Sequence, residues 1–129
     1  MDADERRLAI NAVTEQIIGA AYQVSNYLGT GFLEKVYENS LAYELRKRGR
    51  RVQQQFQINV CYDGVIVGDY VADLIVDDLV LVEVKAVKYF DDIHLAQCLN
   101  YLKATSLHVC LLINFGTPKI EIKRVANKF

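Results

Sequence analysis

The chain has 129 residues, of which 52% are hydrophobic and 24% are charged, and its formal net charge is −1. This size and balance predict a single globular domain, residues 1–129, with a buried core. The near-neutral charge excludes a strong overall basic field of the kind that draws proteins to nucleic acid. Because the sequence shows no signal peptide and no apolar run long enough to span a membrane, we expect a cytoplasmic protein.

Two helices are predicted first along the chain. Apolar residues recur with helical period from Asp4 to Leu28, and Gly29-Thr30-Gly31 ends that helix. A second helix is predicted from about Phe32 to Arg48, with Gly49 as its stop signal. The basic residues that crowd its end form either a local basic patch or a solvated helix end; they are Arg46, Lys47, Arg48, Arg50 and Arg51.

A mixed sheet is predicted for the rest of the chain. The predicted strands are Val52–Tyr62, Val65–Val76, Leu79–Val87, Leu107–Asn114 and Lys119–Val125, with a helix at Asp91–Ala104. Asp63-Gly64 is a strong hairpin signal, so the first two strands should be antiparallel. The strand–helix–strand passage from Leu79 to Asn114 predicts a parallel, right-handed crossover.

The three cysteines of the chain lie in apolar contexts and include no CxxC pair. This spacing argues against a zinc site or a disulfide framework. Cys61, Cys98 and Cys110 are therefore predicted to be small buried hydrophobic residues.

Three charged residues stand in strand sequence where a hydrophobic residue is expected. Asp73 lies in Val65–Val76, and Glu83 and Lys85 share one face of the next strand. Burying a charge without a partner is costly, so such charges form ion pairs, bind a metal or line a cleft. Two carboxylates and a lysine suit Mg²⁺, whereas a cross-strand ion pair between Asp73 and Lys85 is the structural alternative.

The register of these two strands decides between the alternatives. A two-residue turn at Asp77-Asp78 would place Asp73 opposite Val82, on the wrong face relative to Glu83. A shared site requires Asp73 opposite Glu83, and therefore an odd-length loop such as 77–79, or a bulge.

The helices carry further candidates. Glu34 lies about 20° from Leu41 and Leu45 on a helical wheel, so it points along the apolar side. The alternative is a helix N-terminus effect: with Gly31 as N-cap, Glu34 would be the third helical residue, where a carboxylate is favoured.

One stripe of the third helix contains His94, Gln97 and Tyr101. These side chains either hold a phosphate or a base, or form an ordinary polar helix face.

Taken in order, these residues resemble the PD-(D/E)xK nuclease superfamily. Its restriction-endonuclease-like core, α-β-β-β-α-β, matches 32–114 and leaves an extra N-terminal helix, which implies an α/β (α+β) fold with a mixed central sheet flanked by helices. The segment Gly31-x-x-Glu34-x-x-Tyr37 is similar to the motif of the GxxExxY family of small bacterial proteins. The resemblance extends through 70–74, 83–87, 94–105 and 111–116.

The resemblance implies a metal-dependent nuclease with Asp73, Glu83 and Lys85 as its catalytic residues. Mg²⁺ or Mn²⁺ would be held by Asp73, Glu83 and the Val84 carbonyl, with Glu34 in support. The residues implied to bind the nucleic acid are Gln97, Tyr101, His94 and Tyr37.

Two positions depart from the superfamily pattern: Ala72 replaces a common proline and Val71 replaces a common arginine. Neither change removes a metal ligand. The alternative function is a non-catalytic module on a nuclease fold that binds nucleic acid or protein. A homodimer is a further expectation: the apolar stripe of the long first helix packs either on the core of its own chain or on another subunit.

Overall fold

The computed structural model describes residues 1–127. Its elements follow the predicted order, and the two strands of the first hairpin have the predicted bounds. They are α1 (Ala3–Leu28), α2 (Glu34–Lys47), β1 (Val52–Tyr62), β2 (Val65–Val76), β3 (Val80–Lys85), α3 (Asp92–Ala104), β4 (Val109–Asn114) and β5 (Glu121–Ala126).

The five strands form one mixed sheet in the order β1-β2-β3-β4-β5. The pairs β1–β2, β2–β3 and β4–β5 are antiparallel, while β3 and β4 are parallel and joined through α3. The fold is therefore the α+β, restriction-endonuclease-like arrangement that was expected, preceded by an N-terminal helix.

Helices cover both faces of the sheet. On one face α1 and α2 pack over a core that includes Ile17, Leu41 and Val82, and on the other α3 packs over Leu81 and Leu112. All of β4 is buried, because it lies in the sheet between β3 and β5 with helices on both sides. Each buried aliphatic side chain contributes about 1.5–3 kcal/mol, so the centre of the sheet is the rigid base of the molecule.

The α1–α2 junction corrects two sequence predictions. Gly31 lies in the left-handed region (φ 106°) and is not the N-cap; the N-cap is Leu33, so Glu34 is the first helical residue rather than the third. Tyr37 is fully buried, and its ring stacks on Phe115 at 4.8 Å between centroids.

The Tyr37 hydroxyl fixes the chain between the two helices. It donates a hydrogen bond to the Gly29 carbonyl (2.7 Å) and accepts one from the Phe32 N–H (3.3 Å). Tyr37 is therefore a core residue of this junction and not the substrate contact that was expected, because its ring does not reach the surface.

The basic run at the end of α2 and just after it forms structural contacts. Arg50 and Arg51 form ion pairs with Asp77 and Asp78 of the β2–β3 loop. Earlier in the run, Arg46 bonds to the Val52 carbonyl, and both Lys47 and Arg48 form ion pairs with Glu44. The predicted basic patch is thus engaged with acceptors of the chain itself.

The outer part of the β1–β2 hairpin is exposed on both faces. Its turn has Asp63 and Gly64 in left-handed conformations (φ 53° and 76°), as the hairpin signal predicts. Cys98 and Cys110 are buried as expected, but Cys61 is exposed because it lies in this outer part.

None of the helices within residues 1–127 is both long enough and apolar enough to cross a membrane.

Candidate active site

Asp73 and Glu83 meet where β2 and β3 separate. Leu74 pairs with Val82 across these strands, so the next residues along, Asp73 and Glu83, are opposite each other. The connecting loop has three residues, 77–79, as a shared site requires. The predicted register is confirmed, and the alternative pairing of Asp73 with Val82 does not occur.

Each carboxylate bonds to the backbone of the opposite strand. The Asp73 N–H donates to Glu83 Oε1 at 2.9 Å, and the Val84 N–H donates to Asp73 Oδ2 at 2.7 Å. These bonds replace the regular backbone ladder at the point where the strands separate. Within residues 1–127 Asp73 forms no ion pair with Lys85, so the cross-strand pair considered as an alternative does not explain the cluster.

Side-chain alternation in β2 is interrupted at Asp73. Leu74 packs in the core under α1 and α2, whereas Ala72, two residues earlier, packs on the α3 side. In regular β-structure both would lie on one face. The irregularity has a counterpart in β1, where Gln55 has φ 54° and lies between the paired residues Gln54 and Phe56.

Burial and crowded negative charge make the two carboxyls unusual. Burial raises the pKa of Glu83 to about 8, and the adjacent charge of Asp73 acts in the same direction. Burial also raises the pKa of Asp73, although the hydrogen bond from the Val84 amide opposes the shift. The positive charge of half-buried Lys85 lowers both pKa values, but it does not cancel the effect of burial.

Glu38 is a site residue that sequence reasoning missed. Its side chain is buried, and Oε1 accepts hydrogen bonds from Gln55 (2.9 Å) and Lys35 (3.1 Å), while Oε2 accepts one from Gln54 (2.8 Å). Its negative charge contributes to the raised pKa of Asp73. The signal was present in the sequence, because Glu38 follows Glu34 by four residues and lies about 20° from Leu45 on the helical wheel.

Glu34 itself is exposed at the start of α2. Its charge still raises the pKa of both Asp73 and Glu83. The structure therefore places Glu34 at the margin of the carboxylate pair and not on the buried side of its helix.

A cavity of about 460 Å³ opens beside Lys85, and α3 forms one of its walls. His94, Gln97 and Tyr101 all line it, so the structure brings the predicted α3 stripe and Lys85 together. The Tyr101 hydroxyl donates to the Val71 carbonyl at 3.2 Å. Burial raises the pKa of Tyr101, and the charges of Glu83 and Asp73 add to this, so the hydroxyl stays protonated.

His94 also has a structural role at the start of α3. Its Nδ1 accepts a hydrogen bond from the Asp91 N–H at 3.1 Å, and the Asp91 carboxylate accepts from Ile93 N–H at 3.2 Å. The two side chains form a capping box. His94 is therefore fixed at the rim of the cavity by the helix cap.

The family model of the PD-(D/E)XK nuclease superfamily matches residues 11–125. The chain belongs to the PD-(D/E)XK nuclease superfamily. Neither the curated proteins nor the solved structures gave a significant match. The superfamily match covers β2, β3 and α3, and so includes every residue of the cluster around Asp73 and Glu83.

PD-(D/E)XK nucleases typically depend on a divalent metal, and the cluster offers suitable donors. Asp73 and Glu83 each use one oxygen for a backbone amide, which leaves Asp73 Oδ1 and Glu83 Oε2 available. Within residues 1–127 no group of three or more His, Cys, Asp or Glu is arranged to hold a metal ion. Two carboxylate oxygens with water fit Mg²⁺, which often takes only one or two carboxylates from a protein.

Proposed function

We propose that this protein is a nuclease that hydrolyses phosphodiester bonds in nucleic acid with Mg²⁺ or Mn²⁺. The observation that supports this most is the pairing of Asp73 with Glu83, close to Lys85, which lines the adjacent cavity. Buried Glu83 and half-buried Asp73 both have raised pKa values, and a bound cation would favour their charged forms.

The proposed ligands are one free oxygen each from Asp73 and Glu83, together with the Val84 carbonyl, and Glu34 supports them from the margin. When bound, the cation supplies Lewis-acid polarisation of the phosphate and activates water for attack. Lys85, on the face of β3 that carries Glu83, would stabilise the negative charge that develops on the phosphate. Gln97 and Tyr101 line the cavity next to Lys85 and would orient the substrate.

Cleavage assays with a matched control test this proposal. Single- and double-stranded DNA and RNA are incubated with Mn²⁺ or Mg²⁺ and with wild type, Glu83→Gln, Lys85→Met or Glu15→Gln. The Glu83 amide keeps the shape and the hydrogen bond to Asp73 but loses the charge, so cleavage should disappear. Lys85→Met should slow cleavage by about 100-fold or more. Glu15 is exposed on α1, and its variant should cleave like wild type.

Two results would contradict the proposal. One is metal-dependent cleavage that survives Glu83→Gln. The other is a wild type that unfolds cooperatively on heating, and is therefore folded, but cuts none of the four substrates. The second result would favour the non-catalytic binding module.

A homodimer is the remaining part of the proposal. β1 is one of the two outer strands of the sheet, so its outer edge lacks a strand neighbour within residues 1–127. An open strand edge is a natural surface for pairing with a second copy. The homodimer stays a prediction.

A further inference from the structure

A second cavity continues from the first along α3. It has a volume of about 510 Å³, and Tyr70 and Asn100 line both cavities. The two cavities together therefore form one trough, bounded by α3 on one side and by the β1–β2 hairpin on the other. It runs from Lys85, beside the carboxylate pair, to Lys103 near the end of α3.

The α3 wall of the trough has a regular polar pattern. His94, Gln97, Asn100 and Lys103 follow one another at intervals of three residues, so each neighbours the next in a slanted stripe that winds around the helix by about 60° per step. At a rise of about 1.5 Å per residue this stripe extends over about 14 Å. Asn59 of β1 adds another amide to the opposite wall.

The charge of the trough favours an anionic ligand. Lys85 and Lys103 stand at its two ends, and the residues that line the two cavities within the described chain include no Asp or Glu. Amides between the two lysines supply hydrogen-bond donors and acceptors without charge.

Tyr70 lies where the two cavities join. Its side chain is 47% exposed, and its ring contacts Tyr101 at 5.8 Å between centroids with the planes tilted by 51°. Tyr101 is buried and donates a hydrogen bond to the Val71 carbonyl, so the ring of Tyr70 packs against a fixed side chain. An exposed aromatic ring between two cations is the arrangement with which proteins stack a base between phosphate contacts.

We propose that the trough binds a single-stranded segment of nucleic acid, with a base stacked on Tyr70 and phosphates near Lys85 and Lys103. This inference rests on the proposed function, which brings nucleic acid to the adjacent carboxylate pair. It adds a substrate class and a binding subsite formed by Tyr70, Asn100 and Lys103.

The same features disfavour a duplex. Duplex binding draws most of its affinity from many phosphate contacts, whereas this trough has two lysines. The arginines after α2 do not line the trough, and Arg50 and Arg51 form ion pairs with Asp77 and Asp78. Paired bases are also stacked on each other, so their faces are not free to stack on Tyr70.

Fluorescence anisotropy in a chelator tests the trough without any catalysis. The probes are a short labelled oligothymidylate and a duplex of the same length, and the proteins are wild type, Tyr70→Ala, Tyr70→Phe, Lys103→Gln and Tyr62→Ala. Tyr62 is exposed on the same hairpin but does not line the trough. Tyr70→Ala should raise the Kd for the single strand by about fivefold or more, while Tyr70→Phe retains the ring and the affinity.

Lys103→Gln should weaken binding and reduce the slope of log K against log salt by about 0.7. Tyr62→Ala should bind like wild type. Equal affinity for duplex and single strand, equal effects of Tyr70→Ala and Tyr62→Ala, or no binding by wild type would each overturn the inference. Melting curves of the variants show whether each is folded.

The two proposals fail in different ways. Tyr70-dependent binding of the single strand without cleavage at any metal concentration would contradict the nuclease and leave the trough intact. Metal-dependent cleavage with a KM and Kd unchanged by Tyr70→Ala would contradict the trough and leave the nuclease intact.

Discussion

At the scale of single residues, Glu83 shows the strongest conflict between its chemistry and its surroundings. It is only 3% exposed, and its nearest charged neighbour across the strands is another carboxyl, Asp73. A purely structural residue at this place would be apolar, as are its neighbours Val82 and Val84. The cation of the proposed metal centre would offset the cost of retaining this carboxyl.

This environment predicts a specific pH dependence for the metal-free protein. The pKa of Glu83 rises from 4.5 to about 8 on folding, so the folded state binds the proton more tightly. The contribution of Glu83 to stability is thus fully present below pH 4.5 and is lost as the pH rises to about 8. Between these two pH values the contribution of Glu83 to the free energy of unfolding falls by up to about 1.4 kcal/mol per pH unit.

Urea unfolding in a chelator across this pH range measures the effect. Because the amide does not titrate, the stability of Glu83→Gln relative to wild type should increase steadily with pH. The control Glu15→Gln, exposed on α1, should run parallel to wild type. Parallel curves for Glu83→Gln and wild type would show that Glu83 ionises normally.

At the scale of elements, the short β2–β3 loop determines whether a site exists. Asp77 and Asp78 both have left-handed conformations (φ 53° and 57°), which complete the three-residue loop. The Asp77 carboxylate accepts from the Arg51 N–H at 2.8 Å and from Arg50 Nη1 at 3.0 Å. These bonds tie the loop to the start of β1 and hold the register that places Asp73 opposite Glu83.

Asp77→Ala should therefore destabilise the protein by about 1–3 kcal/mol, because it removes two hydrogen bonds to the carboxylate. Asp63→Ala is the matched control: Asp63 has the same φ of 53° in the β1–β2 turn but is exposed. Urea unfolding should show a lower midpoint for Asp77→Ala, with an unchanged m-value, and a much smaller shift for Asp63→Ala. Equal shifts would mean that the backbone conformation, and not the bonds to Arg50 and Arg51, accounts for the effect.

At the scale of the whole molecule, the order of the elements was predictable because each has a clear period and clear turn residues. The β2–β3 register could also be predicted from the sequence, because only a pairing of Asp73 with Glu83 brings the charged residues of the two apolar strands together. The position of Asp73 in β2 was less accessible, because its interrupted alternation depends on Gln55 in β1 and on Glu38 in α2. Such contacts between distant segments leave no periodic trace in the sequence.

Tyr37 and the basic run show where the sequence predicted ligand contacts that the fold does not provide. Their residue types suit nucleic-acid contacts, but the fold uses them internally: Tyr37 stacks on Phe115, and Arg50 pairs with Asp77. Exposed surface for a ligand thus remains in the trough beside α3, which is lined by Lys85 of β3 and Lys103 of α3. Residue type alone could not distinguish these two uses.

Calorimetric titration with Mn²⁺ near pH 8 tests the central claim most directly, because it requires no knowledge of the substrate. Wild type should bind Mn²⁺ and release a proton from the carboxylate pair as it does so. Glu83→Gln and Asp73→Asn should lose most of that affinity, while Glu15→Gln keeps it. Mn²⁺ binding by Glu83→Gln as tight as that of wild type would contradict a metal centre at Asp73 and Glu83.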